Sequence, residues 1–446
     1  MIHSIVRITL QNYRCFRQKQ SARLAPLTLL VGNNSTGKTS FLALTRALVD
    51  AVSLPGVPDF QRVPFELGSF RDIAHNHGGR GGHADAFDAG FEDLEDNSFH
   101  VTFENRGAYP SPKTIVLARE DVRLEAQRQK NGKQLIILTS SNREVVRELV
   151  DDEPFSWDEN NRNFLSATVS MWDYKLRTDG HQGGEADEKD RGSPKDEAWE
   201  KLGKAHSDIF SFFGREPQSP FASAPIRSQP RRTYDPSRPL RDPEGEYVPT
   251  YLAILSHRDK KEWAHLKHAL EAFGRDSGLY DEIDIKLLGK TGGSPFQVQI
   301  RKFGRRLKGP KRNLIDVGYG VSQALPLLTE LLRDDAPSMF LLQQPEVHLH
   351  PSAQAALGSL FCNIAGPERQ LIVETHSNYI LDRVRMDVRD KKTDLKPEDV
   401  SILFFEAGEL DVTIHSLRLD QEGNVLDAPP GYGQFFMDET RRSIGI

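Results

Sequence analysis

The sequence predicts an α/β fold with a mostly parallel sheet, and three observations carry that reading. A glycine-containing turn, Gly32–Ser40, separates a short apolar run, Leu27–Val31, from a stretch with Phe41, Leu44, Leu48 and Val49 at helical spacing. Two more short apolar runs, Met339–Leu342 and Leu371–Val373, bracket another helical pattern, Ala353, Ala356, Leu357, Leu360 and Phe361. Strands alternating with helices in this way mark parallel sheets. The long interval between the two halves predicts a large inserted region.

The first element is Ile5–Leu10, an alternating strand that runs into Asn12-Tyr13-Arg14. Leu27–Val31, bounded by Pro26 and Gly32, reads as a buried strand, and a helix starts at Lys38. Further on, Thr178–Glu197 has almost no apolar residues and reads as a solvated, disordered loop. Ser219–Pro249 is rich in Pro and Arg, and Trp263–Phe273 has an amphipathic helical pattern. Near the end, Ile402–Phe405 and Val412–Leu417 read as short strands. The expected organisation is one α/β head from residues 1–104 and 281–446, with an inserted lobe over 105–280.

Composition narrows the function classes. Of 446 residues, 37% are hydrophobic and 27% charged, as in soluble globular chains. The net charge of −6 argues against a nucleic-acid footprint over the whole surface, while a local basic stripe stays open. Two cysteines, Cys15 and Cys362, cannot build a disulfide framework or a multi-cysteine zinc site. No apolar run approaches the roughly 20 residues that span a bilayer, so a cytoplasmic protein without a membrane partner is expected.

Gly32-Asn33-Asn34-Ser35-Thr36-Gly37-Lys38-Thr39 fits G-x-x-x-x-G-K-[ST] at every fixed position, with Ser40 next. The glycines let successive N–H groups turn inward towards phosphate oxygens. The helix that follows adds the positive end of its dipole. Lys38 would meet the β- and γ-phosphates, and the Thr39 hydroxyl would ligate Mg2+. ATP or a close purine triphosphate is the expected ligand.

Three downstream segments look like the rest of such a site. Asp316-Val317-Gly318-Tyr319-Gly320-Val321-Ser322-Gln323 is a second glycine-containing turn before an apolar helix. Met339–Leu342 leads into Gln343-Gln344-Pro345-Glu346-Val347-His348-Leu349-His350-Pro351, and Leu371–Val373 into Glu374-Thr375-His376-Ser377. With Asn12-Tyr13-Arg14 and the loop, these segments resemble the ABC-type ATPase heads of the OLD (overcoming lysogenisation defect) ATPases. Those are relatives of the RecF and structural-maintenance-of-chromosomes (SMC) proteins. The chain is most similar to stand-alone bacterial ATPases encoded in anti-phage defence operons. Pro225-Ile226-Arg227 and Asp242-Pro243-Glu244-Gly245 also resemble that subgroup.

The resemblance implies a P-loop NTPase of ABC-ATPase type with a mixed sheet and a large inserted region. It implies a homodimer or higher homo-oligomer through the ATP site. Gly320, Ser322 and Gln323 of one subunit would face the ATP held by the other, His376 would sense the γ-phosphate, and Arg14 would lie near the phosphates. The tail after His376 is shorter than an OLD-type nuclease domain. A switch or scaffold acting on a separate effector, a nuclease or toxin, is therefore expected, with a DNA-repair or chromosome-associated ATPase as the alternative.

Two positions depart from the pattern. Where the resemblance implies an acidic metal ligand and then a catalytic Glu, the chain has Gln343 and Gln344. An amide can orient water or hold a metal weakly, but it is no general base. Slow turnover is expected, with Gln344 either natural or an engineered change from Glu. Other residues carry two readings each. Glu346, His348 and His350 alternate, so they either bind a metal or shape the turn. Arg227, Arg231, Arg232, Arg238 and Arg241 either form a nucleic-acid or partner surface or pair internally, and the basic run Arg301–Arg312 is the other candidate for phosphate-backbone contact. Gly68-Ser69-Phe70-Arg71-Asp72 could stand in the place of a Q-loop.

Overall fold

The computed structural model describes residues 4–53, 60–79, 82–131, 133–140, 143–150, 220–236, 241–290, 293–304 and 307–433. The segment expected as a solvated loop, 178–197, and Arg238 lie outside them. The chain divides into two compact units. The first comprises Met1–Leu24, Asn33–Pro220 and Phe405–Ser416; the second comprises Ala25–Gly32, Phe221–Phe404 and Leu417–Ile446. The stretch expected as one inserted lobe is thus shared between the two units.

The first unit is built on an eight-stranded antiparallel sheet, ordered β2-β1-β4-β5-β6-β7-β8-β9. Its strands are β1 (Ile5–Gln11), β2 (Gln20–Arg23), β4 (Ala86–Asp93), β5 (Ser98–Arg106), β6 (Tyr109–Arg119), β7 (Val122–Arg128), β8 (Gln134–Ser140) and β9 (Arg143–Val150). In β4, Phe87, Ala89 and Phe91 are buried at every second position, the period of a strand with one covered face. Phe87 centres an aromatic cluster. Its ring stacks on Phe103 at 4.8 Å, with Phe60, Phe70 and Tyr13 each 5.8 Å from it. Helix α1 (Lys38–Ser53) and the four-residue α2 (Phe70–Ile73) belong to the same unit. Near its end, α1 buries Asp50, which takes charge-assisted hydrogen bonds from Arg46 and Arg62, both at 3.0 Å.

The second unit is built on a sheet ordered β10-β14-β15-β3-β16-β17-β18. Its parallel heart is β10 (Phe221–Ser223), β14 (Met339–Gln343), β15 (Gln370–Glu374) and β3 (Leu27–Gly32). Both β3 and β15 are buried along their whole length, so their apolar runs are continuous, as parallel strands require. The remaining strands of this sheet are β16 (Val400–Ala407), β17 (Val412–Leu419) and β18 (Val425–Leu426), the last two antiparallel. The sheet is therefore mixed, with a parallel core. Helices α3 (Val248–Arg258), α4 (Lys260–Ser277), α5 (Tyr319–Leu332), α6 (Pro351–Ile364) and α7 (Asn378–Arg389) complete the unit. They are joined by a small antiparallel sheet of β11 (Glu282–Leu287), β12 (Phe296–Arg301) and β13 (Arg312–Asn313). Among the described residues no helix is long and apolar enough to cross a membrane.

Both cysteines are free thiols. Burial pushes the Cys15 thiol up to about 11 and the Cys362 thiol up to about 12, because a thiolate loses its hydration there. The reactive thiolate is then about a thousandth or less of either group at pH 8. Iodoacetamide at that pH is expected to modify neither residue in the folded protein and both in urea; mass spectrometry of the quenched reaction measures this.

Candidate nucleotide site

The chain leaves β3 at Gly32 and enters the phosphate loop. Asn33, Asn34 and Ser35 are exposed, and Ser35 (φ 63) and Gly37 (φ 85) adopt left-handed backbone. Lys38 is buried, and its ammonium folds back into the loop, donating to the Asn33 carbonyl at 2.6 Å. The Thr36 hydroxyl donates to that same carbonyl at 2.8 Å and lies 3.5 Å from the ammonium. Thr39 is exposed and Ser40 half-buried in the first turn of α1, where helix N–H groups lack intrahelical partners. A glycine turn, a lysine and a helix N-terminus meet here, as anion binding requires.

A tight turn backs this loop. The Tyr13 and Phe16 main chains pair, and the Tyr13 hydroxyl donates to the Ser40 carbonyl at 2.8 Å. A Cβ at Gly37 would fall 2.4 Å from Cys15 Sγ and 2.8 Å from the Phe16 ring. So Gly37 is required twice, by its positive φ and by the close approach of this turn. Arg14 stands on the same turn in left-handed backbone (φ 49). Its N–H donates to the Ile73 carbonyl at 2.7 Å, its carbonyl accepts from His75 Nδ1 at 2.7 Å, and its Nη1 donates to the Asp72 carbonyl at 2.9 Å. Gly68–Asp72 is thus the partner of the Arg14 turn, with Ser69 and Asp72 forming the capping box of α2.

In the second unit, parallel register aligns three strand ends. Gln343 pairs with Glu374, Glu374 with Leu30, and the Thr375 N–H donates to the Leu30 carbonyl at 3.1 Å. The turn after β14 and the turn after β15 therefore open beside the strand that feeds the phosphate loop. Gln344 takes left-handed backbone (φ 40), sparsely populated for such a residue, and its N–H donates to the Glu374 carbonyl at 2.9 Å. Gln343 is buried; its N–H donates to Ser223 Oγ at 3.2 Å, while its side-chain Nε2 has no hydrogen-bond partner. The Glu346 carboxylate accepts the His376 N–H at 2.7 Å. Ser377 then caps α7 by accepting from the Ile380 N–H at 3.1 Å, which leaves the exposed His376 between strand and helix.

The second glycine turn starts α5, with Gly318 as its N-cap and Tyr319 exposed. Gly320 packs on the His348 carbonyl, 3.0 Å from the site of a Cβ. Ser322 is buried, its hydroxyl donating to the Tyr319 carbonyl at 3.0 Å. Gln323 turns inward: its Oε1 accepts the Arg227 N–H at 3.1 Å and its Nε2 donates to the Arg227 carbonyl at 3.3 Å. The side chain expected to face a partner's nucleotide is engaged within its own protomer. Neither Ser223, which supports Gln343, nor the Gln323–Arg227 contact had been assigned from the sequence; both join residues about a hundred positions apart, and no local spacing signals them.

The open alternatives also separate. Glu346 holds His376, the His348 ring lies 5.9 Å from Tyr319, and His350 caps α6. Among the described residues no group of three His, Cys, Asp or Glu side chains could hold a metal. Of the arginines, Arg231 pairs with Glu246, Arg241 with Glu330, and Arg232 with Asp316 at 2.6 Å. In the basic run, Arg301 pairs with Glu282 at 2.9 Å, Lys311 pairs with Asp284, and Lys302 donates to the Gly278 carbonyl. Internal pairing is what these described side chains do.

The model of one protein family, described as "AAA domain, putative AbiEii toxin, Type IV TA system", matches residues 27–382. The chain belongs to this family. It is thus an AAA-type ATPase domain, and the matched span runs from β3 through α7's first turns. Among curated proteins none matches it. Solved structures with a similar fold include an Smc head bound to the C-winged helix domain of ScpA, at TM-score 0.45 and 11% identity, over 94% of this chain and 98% of that one. An SMC head domain from Thermotoga maritima gives 0.38 and 11%, over 92% and 98%. Likeness of this degree bears on neither ligand nor partner, and the P-loop reading stands on strand, loop and helix.

Gly37→Ala is expected to weaken binding of a fluorescent ATP analogue by at least about tenfold, since the loop must move to admit the Cβ. Adding Cys15→Ala should not restore it, because the Phe16 contact and the positive φ remain. Titration of both variants, with circular dichroism to confirm folding, checks this.

Proposed function

We propose that this AAA domain binds ATP with Mg2+ and works as an ATP-gated switch, dimerising on nucleotide and controlling a separate effector in bacterial anti-phage defence. The carrying observation is the phosphate loop, whose buried Lys38 is already held over the loop's inner carbonyl. Lys38 would exchange that carbonyl for phosphate oxygens, a stronger charge-assisted bond. The amides from Gly32 to Ser40 would donate to the remaining oxygens. Asn33, Asn34, Ser35 and Thr36 shape that cradle, and Arg14 supports it from behind. The motif resemblance assigns Mg2+ to the Thr39 hydroxyl and the Gln343 amide; the ion would neutralise charge on the β- and γ-phosphates. The donor set fits such an ion only loosely, since both groups are neutral.

Turnover is where the chain departs from an ordinary hydrolase. Gln344 can orient water beside the strand ends but cannot take its proton. His376, exposed after β15, would sense the γ-phosphate, as the motif resemblance implies. For dimerisation, the second glycine turn, with Gly318 and Tyr319 exposed and Gly320 half-buried, would offer helix N–H groups to a partner's nucleotide. Ser322 and Gln323 would follow only if the first turn of α5 moved. Head-to-tail closure of this kind makes nucleotide part of the interface, so affinity for the second subunit is linked to ATP. The defence role and the nuclease or toxin effector rest on the motif resemblance.

Three outcomes test the reading. Lys38→Ala should lose at least about tenfold in ATP affinity by calorimetry, the scale of a lost charge-assisted bond. Steady-state phosphate release by the native chain should stay far below about 1 s⁻¹, and Gln343→Asp with Gln344→Glu should raise it at least about tenfold. Analytical ultracentrifugation should show a dimer with ATP and Mg2+ and a monomer without; an unchanged sedimentation coefficient would sink the switch.

A further inference from the structure

The basic run Arg301–Arg312 lies in the second unit and has seven Lys or Arg and no Asp or Glu, in a chain of net charge −6. Its described residues form a two-stranded ribbon that continues β12 and β13. Ile300 pairs with Arg312, and beyond them the Gly309 N–H donates to the Lys302 carbonyl at 3.1 Å. Phe303 then stands opposite Lys308, and the Gly304 N–H donates to the Leu307 carbonyl at 2.9 Å. Carboxylates gather at the root of this ribbon. Glu282 takes Arg301, Asp284 takes Lys311, and Asp281 accepts the Phe303 N–H at 2.6 Å. Lys302 donates instead to the Gly278 carbonyl, a neutral group, and the Lys308 ammonium lies 5.3 Å from the centre of the Phe303 ring. Lys302, Lys308 and Arg312 are exposed, and among the described residues no ion pair involves any of them.

Residues directly opposite in an antiparallel pair share a face, and neighbours along a strand alternate. Phe303 and Lys308 therefore occupy one face of the ribbon, and Lys302 and Leu307 the other. Leu307 is 81% exposed and Phe303 40%. A ribbon entering a bilayer would gather its apolar side chains on one face and its cations on the opposite one. Here each face carries one apolar side chain and one cation, which suits a slot with anions along both walls. The major groove of duplex DNA is such a slot. It is about 12 Å wide and admits a two-stranded ribbon, whose strands lie about 4.8 Å apart.

We propose that this ribbon, through Lys302, Phe303, Leu307, Lys308 and Arg312, is a docking element for duplex DNA. Lys302, Lys308 and Arg312 contact backbone phosphates, and Leu307 makes an apolar contact within the groove. Phosphate contacts of this kind supply affinity without sequence preference. The element lies wholly in the second unit and uses no residue of the phosphate loop, so it stands or falls separately from the nucleotide reading.

Titration of labelled duplex DNA with the full chain, followed by fluorescence anisotropy over a series of salt concentrations, tests this. The native chain should bind, more weakly as salt rises. Lys302→Ala, Lys308→Ala and Arg312→Ala together should weaken binding at least about tenfold. They should also lower the slope of log Kd against log salt by about 3, since each phosphate contact releases about 0.9 of a counterion. Leu307→Ser should weaken binding about threefold and leave the slope unchanged, because an apolar contact releases no ion. Tm should stay native in each variant, as these side chains are exposed. Should the triple variant lose stability, Lys308→Ala alone should still remove about one unit of slope. Failure of the native chain to bind duplex DNA, or the same affinity and slope in the substituted chains, overturns the proposal. Single-stranded DNA bound as tightly as the duplex overturns it too, as does capture of phosphatidylserine vesicles in place of DNA.

Discussion

The parallel pairing of β14, β15 and β3 is the constraint on which the site depends. Parallel strands all point their carboxyl ends the same way, so three chain segments far apart in sequence finish at one edge of the sheet. Register does the rest: Gln343 stands beside Glu374, and Glu374 beside Leu30. Shifting β15 by one residue would turn its whole buried set over and move His376 away from Glu346. Full burial of β3 and β15 makes that shift costly, which is why the polar residues at their ends can be held so closely.

Backbone strain occurs in several turns, those of the candidate site among them. Ser35 in the loop, Arg14 on the turn behind it and Gln344 after β14 all hold positive φ without being glycine. Such conformations cost about 1–3 kcal/mol each and persist only where surroundings impose them. For Arg14 the surroundings are three hydrogen bonds to the Asp72–His75 segment; for Gln344 the hydrogen bond to the Glu374 carbonyl is one. The aromatic cluster around Phe87 has a part in this, since Tyr13 packs on it and also reaches the Ser40 carbonyl. The antiparallel sheet of the first unit thus reaches the Ser40 carbonyl through the Tyr13 side chain.

Much of the fold was legible because buried parallel strands leave unbroken apolar runs. Leu27–Val31, Met339–Leu342 and Leu371–Val373 each lie in a strand, and Trp263–Phe273 in α4. The phosphate loop was legible because its chemistry demands fixed residue types. Of the eight-stranded sheet only Ile5–Leu10 was read, although Phe87, Ala89 and Phe91 alternate as a half-buried strand should. The three-residue β10 carries no periodic signal, and only its pairing with β14 makes it a strand. Site residues held by distant contacts escaped for the same reason: Ser223 and Arg227 owe their places to Gln343 and Gln323, not to their neighbours. Arg227 had been grouped with nearby arginines, yet it alone among the described ones of that set is buried.

The Lys38 ammonium rests on the Asn33 carbonyl, a bond made within six consecutive residues. The loop thereby carries its own surrogate for a phosphate oxygen. A ligand entering the cradle replaces an existing partner, and one departing hands the lysine back to it. Exchange of this kind lowers the net affinity that Lys38 can confer, and equally lowers the barrier to release. For the switch proposed above, that arrangement would give a loop able to keep its shape with and without nucleotide.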